Sequence, residues 1–286
     1  MAPISGALSA GGLALHTVTW EPDADAVPSG VTALLVHGFA DAAGTWDLVA
    51  PALAARGHRV VAYDQRGFGR SPWVGAGGYY HFFDYVSDLD AVVRALAPAR
   101  LALVGHSMGG TVCALWAGAR PTQVHRLALL EGLGPPDSDP GYAPDRAARW
   151  LDDLGAVSAG RGYASVEEAR DRLAVQHAAL DPSLLASRVA HLVVERDGRF
   201  HWRMDPLHRT MSPVPFYAAA FRAFAARVTC PTLLVSGGPD GFHPADEAER
   251  ARAFPHVIER ELPGAGHMMH WTRPDDVARL LLEHIG

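Results

Sequence analysis

Leu101-Ala102-Leu103-Val104-Gly105-His106-Ser107-Met108-Gly109-Gly110 reads as a buried strand, a sharp turn and the start of a helix. The apolar run Leu101 to Val104 has the continuous character of a strand covered on both faces. Gly105 and Gly109 let the chain turn tightly without a Cβ clash. The Ala-rich segment Thr111 to Ala119 then continues as a helix. Such a turn holds Ser107 at the edge of a sheet, hydroxyl exposed, above a helix N-terminus that favours negative charge. G-x-S-x-G by itself is a weak signal; the strand before it and the helix after it give it weight.

The same alternation of apolar strand and helix runs through most of the chain. Leu13 to Trp20 is a candidate entry strand, Val31 to Val36 a strand buried on both faces, and Arg59 to Tyr63 the next strand. Trp46 to Ala55 and Phe82 to Ala97 carry apolar residues at helical spacing. Leu127 to Leu130 is another buried strand, ending in Glu131-Gly132. From Leu133 to about Pro215 the rhythm breaks. That region opens with prolines, holds helical pieces at Arg146–Leu154, Val166–Leu180 and Pro182–Leu192, and has a hairpin turning at Asp197-Gly198. The rhythm resumes with a helix from Phe216 to Ala226, strands Pro231–Ser236 and Val257–Leu262, a helix near Ala245–Ala253 and a closing helix from Pro274 to Ile285. Strands alternating with helices require a mainly parallel sheet covered on both faces. The expected organisation is therefore an α/β core in two parts, residues 1–133 and 216–286, interrupted by an insertion at 134–215. Ligands in such sheets sit at the carboxyl ends of the strands.

Composition narrows the function classes. The chain has 286 residues, 49% hydrophobic and 20% charged, enough for a sizeable core. A net charge of −6 without a basic block leaves no nucleic-acid footprint. No run of about 18 apolar residues marks a membrane span, and Met1 to Gly12 lacks the pattern of a secretory signal. A cytoplasmic location is the default expectation. Cys113 and Cys230 read as small buried fillers. The basic residues are all arginine; a GC-rich coding sequence explains this together with the scarcity of Lys, Asn and Ile.

A serine hydroxyl becomes a useful nucleophile only when a base removes its proton, and the base needs an orienting carboxylate. Among 15 histidines, His267 is distinctive because it follows a strand through Pro263-Gly264-Ala265-Gly266 near the C-terminus. Nucleophile first and histidine last is the order expected with a G-x-S-x-G turn. No cofactor is implied. Metal ligation by His267-Met268-Met269-His270 lacks further ligands at suitable spacing.

With His37-Gly38-Phe39, Asp64-Gln65-Arg66-Gly67-Phe68-Gly69-Arg70-Ser71, Gly237-Gly238-Pro239-Asp240 and Gly264-Ala265-Gly266-His267 in order around the Ser107 turn, the chain resembles the α/β-hydrolase-fold superfamily. The resemblance spans nearly the whole chain and is closest to its capped serine esterase, C–C hydrolase and haloperoxidase-like branch. It implies a catalytic triad of Ser107, Asp240 and His267, with Glu131 as the alternative acid at the end of the preceding core strand. It implies an oxyanion hole made by the backbone N–H groups of Phe39 and Met108. It also implies a loop-stabilising role for an Asp64–Arg66 pair, a shaping role for His37 and a packing role for His106, with His270 a weaker rival base.

The insertion is expected to cover Ser107, with a pocket between it and the core. Trp150, Trp202, Met204, Phe216, Tyr217, Met268 and Trp271 are the candidate lining, which suits an apolar, small-to-medium acyl group; Arg203 and Arg209 are possible anchors for a charge. The leading expectation is a small-molecule carboxylic ester cleaved through an acyl-enzyme. C–C bond, lactone or perhydrolase-type chemistry on the same residues is the alternative, and a non-catalytic ligand-binding protein the third. Oligomeric state is not legible in the sequence.

Overall fold

Every residue of Val31–Val36 is buried, as a strand with helices on both faces requires. The computed structural model describes residues 2–177 and 180–286. The chain begins with β1 (Ile4–Ala10), β2 (Leu13–Trp20), β3 (Val31–Val36), α1 (Ala50–Ala54), β4 (Arg59–Tyr63), α2 (Phe82–Leu96), β5 (Arg100–His106), α3 (Met108–Ala119) and β6 (Arg126–Leu130). It continues through α4 (Ala143–Ala156), α5 (Val166–Gln176), α6 (Pro182–Leu192), β7 (Val193–Arg196), β8 (Arg199–Trp202) and α7 (Ala218–Ala225). It ends with β9 (Thr232–Ser236), α8 (Glu247–Arg252), β10 (Val257–Glu261), α9 (Met269–Thr272) and α10 (Pro274–Ile285).

Eight strands form one sheet in the order β1-β2-β4-β3-β5-β6-β9-β10. The first hairpin is antiparallel and β4 onward is parallel. Alternate residues of the central strands serve opposite cores: Leu34 and Val36 pack with Leu103, Val112 and Trp116, while Ala33 and Leu35 pack with Trp46, Val104 and Leu130. Two differences from the sequence reading stand out. The strand β1 was not anticipated because it is an exposed edge with no apolar alternation; only the Gly11-Gly12 turn announces its hairpin. The helix expected over Trp46–Ala55 is a 3-10 turn, Ala43–Leu48, followed by the short α1.

Register brings the functional loops together. His106 lies opposite Leu130, and Leu130 opposite Val235. The ladder runs one step further, with Ser107 N–H donating to Leu130 O at 2.9 Å and Glu131 N–H to Val235 O at 3.0 Å. Ser107, Glu131 and the loop after β9 therefore leave the sheet side by side.

The segment between β6 and β9 adds no strand to this sheet; β7 and β8 pair only with each other. Several contacts tie it down. The Arg188 guanidinium on α6, almost fully buried, meets both carboxylate oxygens of Asp47 at 2.7 and 2.9 Å. Gly69 N–H donates to Arg203 O, and Asp205 N–H to Gly67 O, each at 2.8 Å. The loop after Tyr63 thus holds this segment by its backbone. Asp64 and Arg66 in that loop do not pair with each other. Asp64 accepts from the Ala43 and Arg70 amides and meets His16, whereas Arg66 forms a bidentate pair with Asp88 on α2. No helix among the described residues is long and apolar enough to cross a membrane.

Candidate active site

The turn between β5 and α3 places Ser107 at φ 51°, ψ −120°, a conformation that costs a non-glycine residue free energy and persists only where the surroundings enforce it. Gly109 is part of that enforcement. A Cβ there would lie 2.4 Å from the carbonyl oxygens of both Val36 and His37. Only glycine allows the end of β3 to press against the first turn of α3, which brings the Gly38–Phe39 backbone beside the serine. His37 then ties the loop: its Nε2 accepts from Gln65 N–H at 3.0 Å, and its Nδ1 meets Gly38 O at 2.7 Å. The Met108 amide, at the first position of α3, has no acceptor within the helix. Phe39 and Met108 both wall the cavity at Ser107.

His267 Nε2 lies 3.0 Å from Ser107 Oγ. On the other side of the ring, Nδ1 lies 3.4 Å from Glu131 Oε2. Among the described residues this is the carboxylate paired with His267; Asp240, expected in that role, is exposed. The reason lies in the loop after β9. Gly241 N–H donates to Gly238 O at 2.7 Å, closing a turn with Pro239 and Asp240 at its solvent-facing tip. The Glu131 carboxylate occupies the space inside that turn, accepting from Gly237 N–H at 2.5 Å and from Phe242 N–H. A Cβ on Gly241 would fall 2.4 Å from Glu131 Oε1, so the glycine is what admits the carboxylate. Glu131 itself is held at φ 52°. Ser107 and Glu131, at the ends of adjacent strands, are both non-glycine residues in left-handed conformations.

Behind the ring, His106 Nε2–H donates to His267 O at 2.8 Å and so fixes the backbone that carries the His267 ring. Burial, reinforced by His270 and His267, pushes the His106 pKa well below the usual imidazole range and keeps the ring neutral. His270 is not placed to act on Ser107. It is fully buried, lies between Trp46 and His106 with both rings tilted against it, and meets Asp41 Oδ2 at 3.1 Å. Burial lowers its pKa as well, partly offset by Asp41. Asp41, His106 and His270 offer donor atoms within 4.8 Å of one another, but Asp41 also receives Ala42 N–H and Thr45 Oγ1–H and His106 is committed to His267 O. The trio reads as a buried polar support under the His267 loop.

Two cavities meet at Ser107 and His267. One, of about 290 Å³, is walled by Phe39, Phe82, Met108, Pro135 and Phe242. The other, of about 700 Å³, lies under the segment between β6 and β9. Of the expected lining, Trp202, Met204 and Met268 face the larger cavity. The other four candidates do not line either one. Trp150 stands over a separate groove beside Tyr79, and Phe216 packs on Phe221 under Arg250. Tyr217 is exposed at the start of α7. Trp271, 3% exposed, belongs to the packing around His177. Large apolar side chains are drawn into cores wherever helices meet, and sequence spacing does not distinguish core from cavity wall. Two residues at the site carry no sequence signal: Gly241, which reads as an ordinary turn residue, and Arg172, which α5 brings to the wall of the larger cavity.

The fold has counterparts among known proteins. The sequence pattern of the alpha/beta hydrolase fold matches residues 33–274. The mouse sn-1-specific diacylglycerol lipase ABHD11 is 27% identical over 252 residues, covering 85% of this chain and 77% of that protein. Lipase LipV of Mycobacterium tuberculosis (strain ATCC 25618 / H37Rv) is 29% identical over 278 residues, covering 91% of this chain and 95% of that one. Among solved structures, the thioesterase domain from the curacin biosynthetic pathway superposes with a TM-score of 0.84 at 25% identity, covering 99% of this chain and 100% of that domain. With the family pattern running from β3 to the start of α10, the chain belongs to the α/β-hydrolase-fold family and is a hydrolase by kinship.

Proposed function

We propose that the protein is a serine hydrolase that cleaves a carboxylic ester through an acyl-enzyme, with Ser107 as nucleophile, His267 as base and Glu131 as the acid that orients it. The observation that carries this reading is the 3.0 Å approach of His267 Nε2 to Ser107 Oγ at a strand-to-helix turn. Lipase activity named for two relatives agrees with it. In the first half, His267 Nε2 takes the serine proton as Oγ bonds to the ester carbonyl carbon. The oxyanion that forms accepts from the Phe39 and Met108 amides, each worth about 3 kcal/mol to the transition state. The imidazolium, faced by Glu131, returns the proton to the departing alkoxide as the C–O bond breaks. Water then repeats the sequence on the acyl carbon, with His267 again as base, and releases the acid and free Ser107. The segment between β6 and β9 acts as the lid of this site.

The test is a chain-length series of p-nitrophenyl esters together with a fluorophosphonate probe. Native protein is expected to turn over short and medium esters and to be labelled at Ser107. Ser107→Ala should lose labelling and at least about 10⁴-fold in kcat. A protein that cleaves a dienone diketone but no simple ester would transfer the same residues to C–C hydrolysis. One whose Ser107 resists the probe would be a binding protein on a hydrolase fold.

A further inference from the structure

We propose that the substrate carries an anionic group, a carboxylate or a phosphate, received by Arg172, Arg203 and Arg209 in the larger cavity beside Ser107. The proposal rests on the serine-hydrolase reading and gives it a substrate class. It takes up the charge-anchoring role that the sequence left open for Arg203 and Arg209 and adds Arg172 to them.

The three arginines come from three separate places: Arg172 from α5, Arg203 from just after β8, and Arg209 from the 3-10 turn Pro206–Arg209. All three line the cavity that also exposes Ser107 and His267. None has a carboxylate partner among the described residues. Arg203 Nε–H donates to Val193 O at 2.8 Å, which anchors the group and leaves its other nitrogens unclaimed. Of the three only Arg203 is half-buried, and the buried or half-buried guanidinium groups of Arg188, Arg66 and Arg250 each meet more acceptors than it does. Arg188 is bidentate on Asp47, Arg66 is bidentate on Asp88, and Arg250 gives hydrogen bonds to the carbonyls of Leu133, Gly134 and Pro135. Arg203 is half-buried and Arg172 and Arg209 are exposed, so three guanidinium groups with no carboxylate partner among the described residues converge on one cavity.

The surrounding charge adds to this. Burial, together with Arg70 and Arg196, makes the Arg203 guanidinium less willing to hold its charge, with Asp64 partly opposing. An anion beside it relieves both burdens. Asp41 is the one carboxylate in the cavity wall, and its oxygens are committed to Ala42 N–H, Thr45 Oγ1–H and His270. The chain as a whole is acidic, at −6, so this cationic chamber is a local departure rather than a reflection of the average surface. On the other side of Ser107 the smaller cavity is mainly aromatic and aliphatic, with Thr111 and Glu131 also in its wall. A substrate whose reacting carbonyl sits between an apolar end and an anionic end fits both walls at once. The planar fork of arginine suits two-oxygen recognition of carboxylate or phosphate.

Matched esters test the proposal. The p-nitrophenyl monoester of adipic acid is compared with p-nitrophenyl hexanoate, which places the charge on the acyl side. A thioester with a phosphate-bearing leaving group is compared with its dephosphorylated form, which places it on the other side. On one arm the charged member should have a kcat/KM higher by roughly tenfold or more at low salt, and the preference should shrink in 0.5 M NaCl. The arm that responds identifies the carboxylate or the phosphate as the natural chemistry. Arg172→Gln, Arg203→Gln and Arg209→Gln should each lower the charged-to-neutral ratio several-fold. The salt response of native protein decides the matter if a variant does not fold. Neutral esters cleaved at least as well as their charged partners on both arms would overturn the anion proposal and leave the esterase reading standing. Failure to cleave any ester or to label Ser107 would instead overturn the esterase reading. Even then adipate should raise the melting temperature of the Ser107→Ala protein in a way that Arg209→Gln removes, and no such rise would sink the anion site on its own.

Discussion

The loop after β6 and the loop after β9 start from neighbouring strands and each carries a carboxylate to the vicinity of His267. Glu131 turns inward at φ 52°, 8% exposed, and is gripped by two backbone N–H groups of the other loop. Asp240 rides the tip of a turn into solvent. The difference teaches that chain position does not choose which carboxylate meets His267. The longer side chain reaches across from the inner strand, and the missing side chain of Gly241 leaves it room. The Glu131 carboxylate is aimed by the backbone of the neighbouring loop, so the two loops pack as one unit.

The largest effect is expected from Glu131→Gln. It keeps size but removes the carboxylate that faces His267, and its amide sets a donor against the Gly237 and Phe242 N–H groups. A fall of about 10⁴-fold in kcat is expected, read with circular dichroism to confirm folding. A variant that keeps more than a tenth of native kcat would end the case for Glu131.

Next in size is an acid effect that has to be separated from the chemistry. His208 packs on Tyr80 and Phe68, and its Nε2 meets Tyr85 Oη at 2.7 Å. Burial depresses its pKa to about 4. Because the folded value lies below the unfolded one, this stability is complete above about pH 6.5 and drains away as pH falls towards about 4. The drain amounts to up to about 3 kcal/mol. Denaturant melts at pH 7 and pH 4.5 should show the loss, and His208→Gln should make it smaller. An unchanged slope in that variant would absolve His208. Activity comparisons between the two loops therefore belong above pH 6.5.

Gly241→Ala is expected to be intermediate. The new Cβ would press on Glu131 Oε1, displacing the acid without removing it. A loss of roughly 10- to 100-fold in kcat is expected, with KM for a simple ester changed little. Wild-type kcat in this variant would mean that the glycine merely makes a turn. The smallest effect belongs to Asp240→Asn, which should stay within about threefold of native activity, as exposed sites away from such features do. The double variant with Glu131→Gln should match Glu131→Gln alone, since groups that share no partner do not couple. A further loss in the double would show that Asp240 substitutes when Glu131 is gone.

Local pattern made much of the molecule legible. The β3 and β5 runs, the Ser107 turn, the Asp197-Gly198 hairpin and the bounds of α6 and α10 all lie where periodicity and turn residues place them. Where pattern was weak, legibility failed: β1 is a polar edge, and Trp150, Phe216, Tyr217 and Trp271 are aromatic residues whose spacing is the same whether they face core, groove or solvent.

The sequence by itself determined the order of strands and helices, the strained serine turn and the late histidine, because each is written in adjacent residues and their backbone preferences. Tertiary structure alone decided which carboxylate meets His267 and which arginines gather over Ser107. Those choices depend on strand register, on a space left by a glycine 110 positions beyond Glu131 in the chain, and on where the helices between β6 and β9 settle. Contacts of that range follow from packing, and no short stretch of sequence records them.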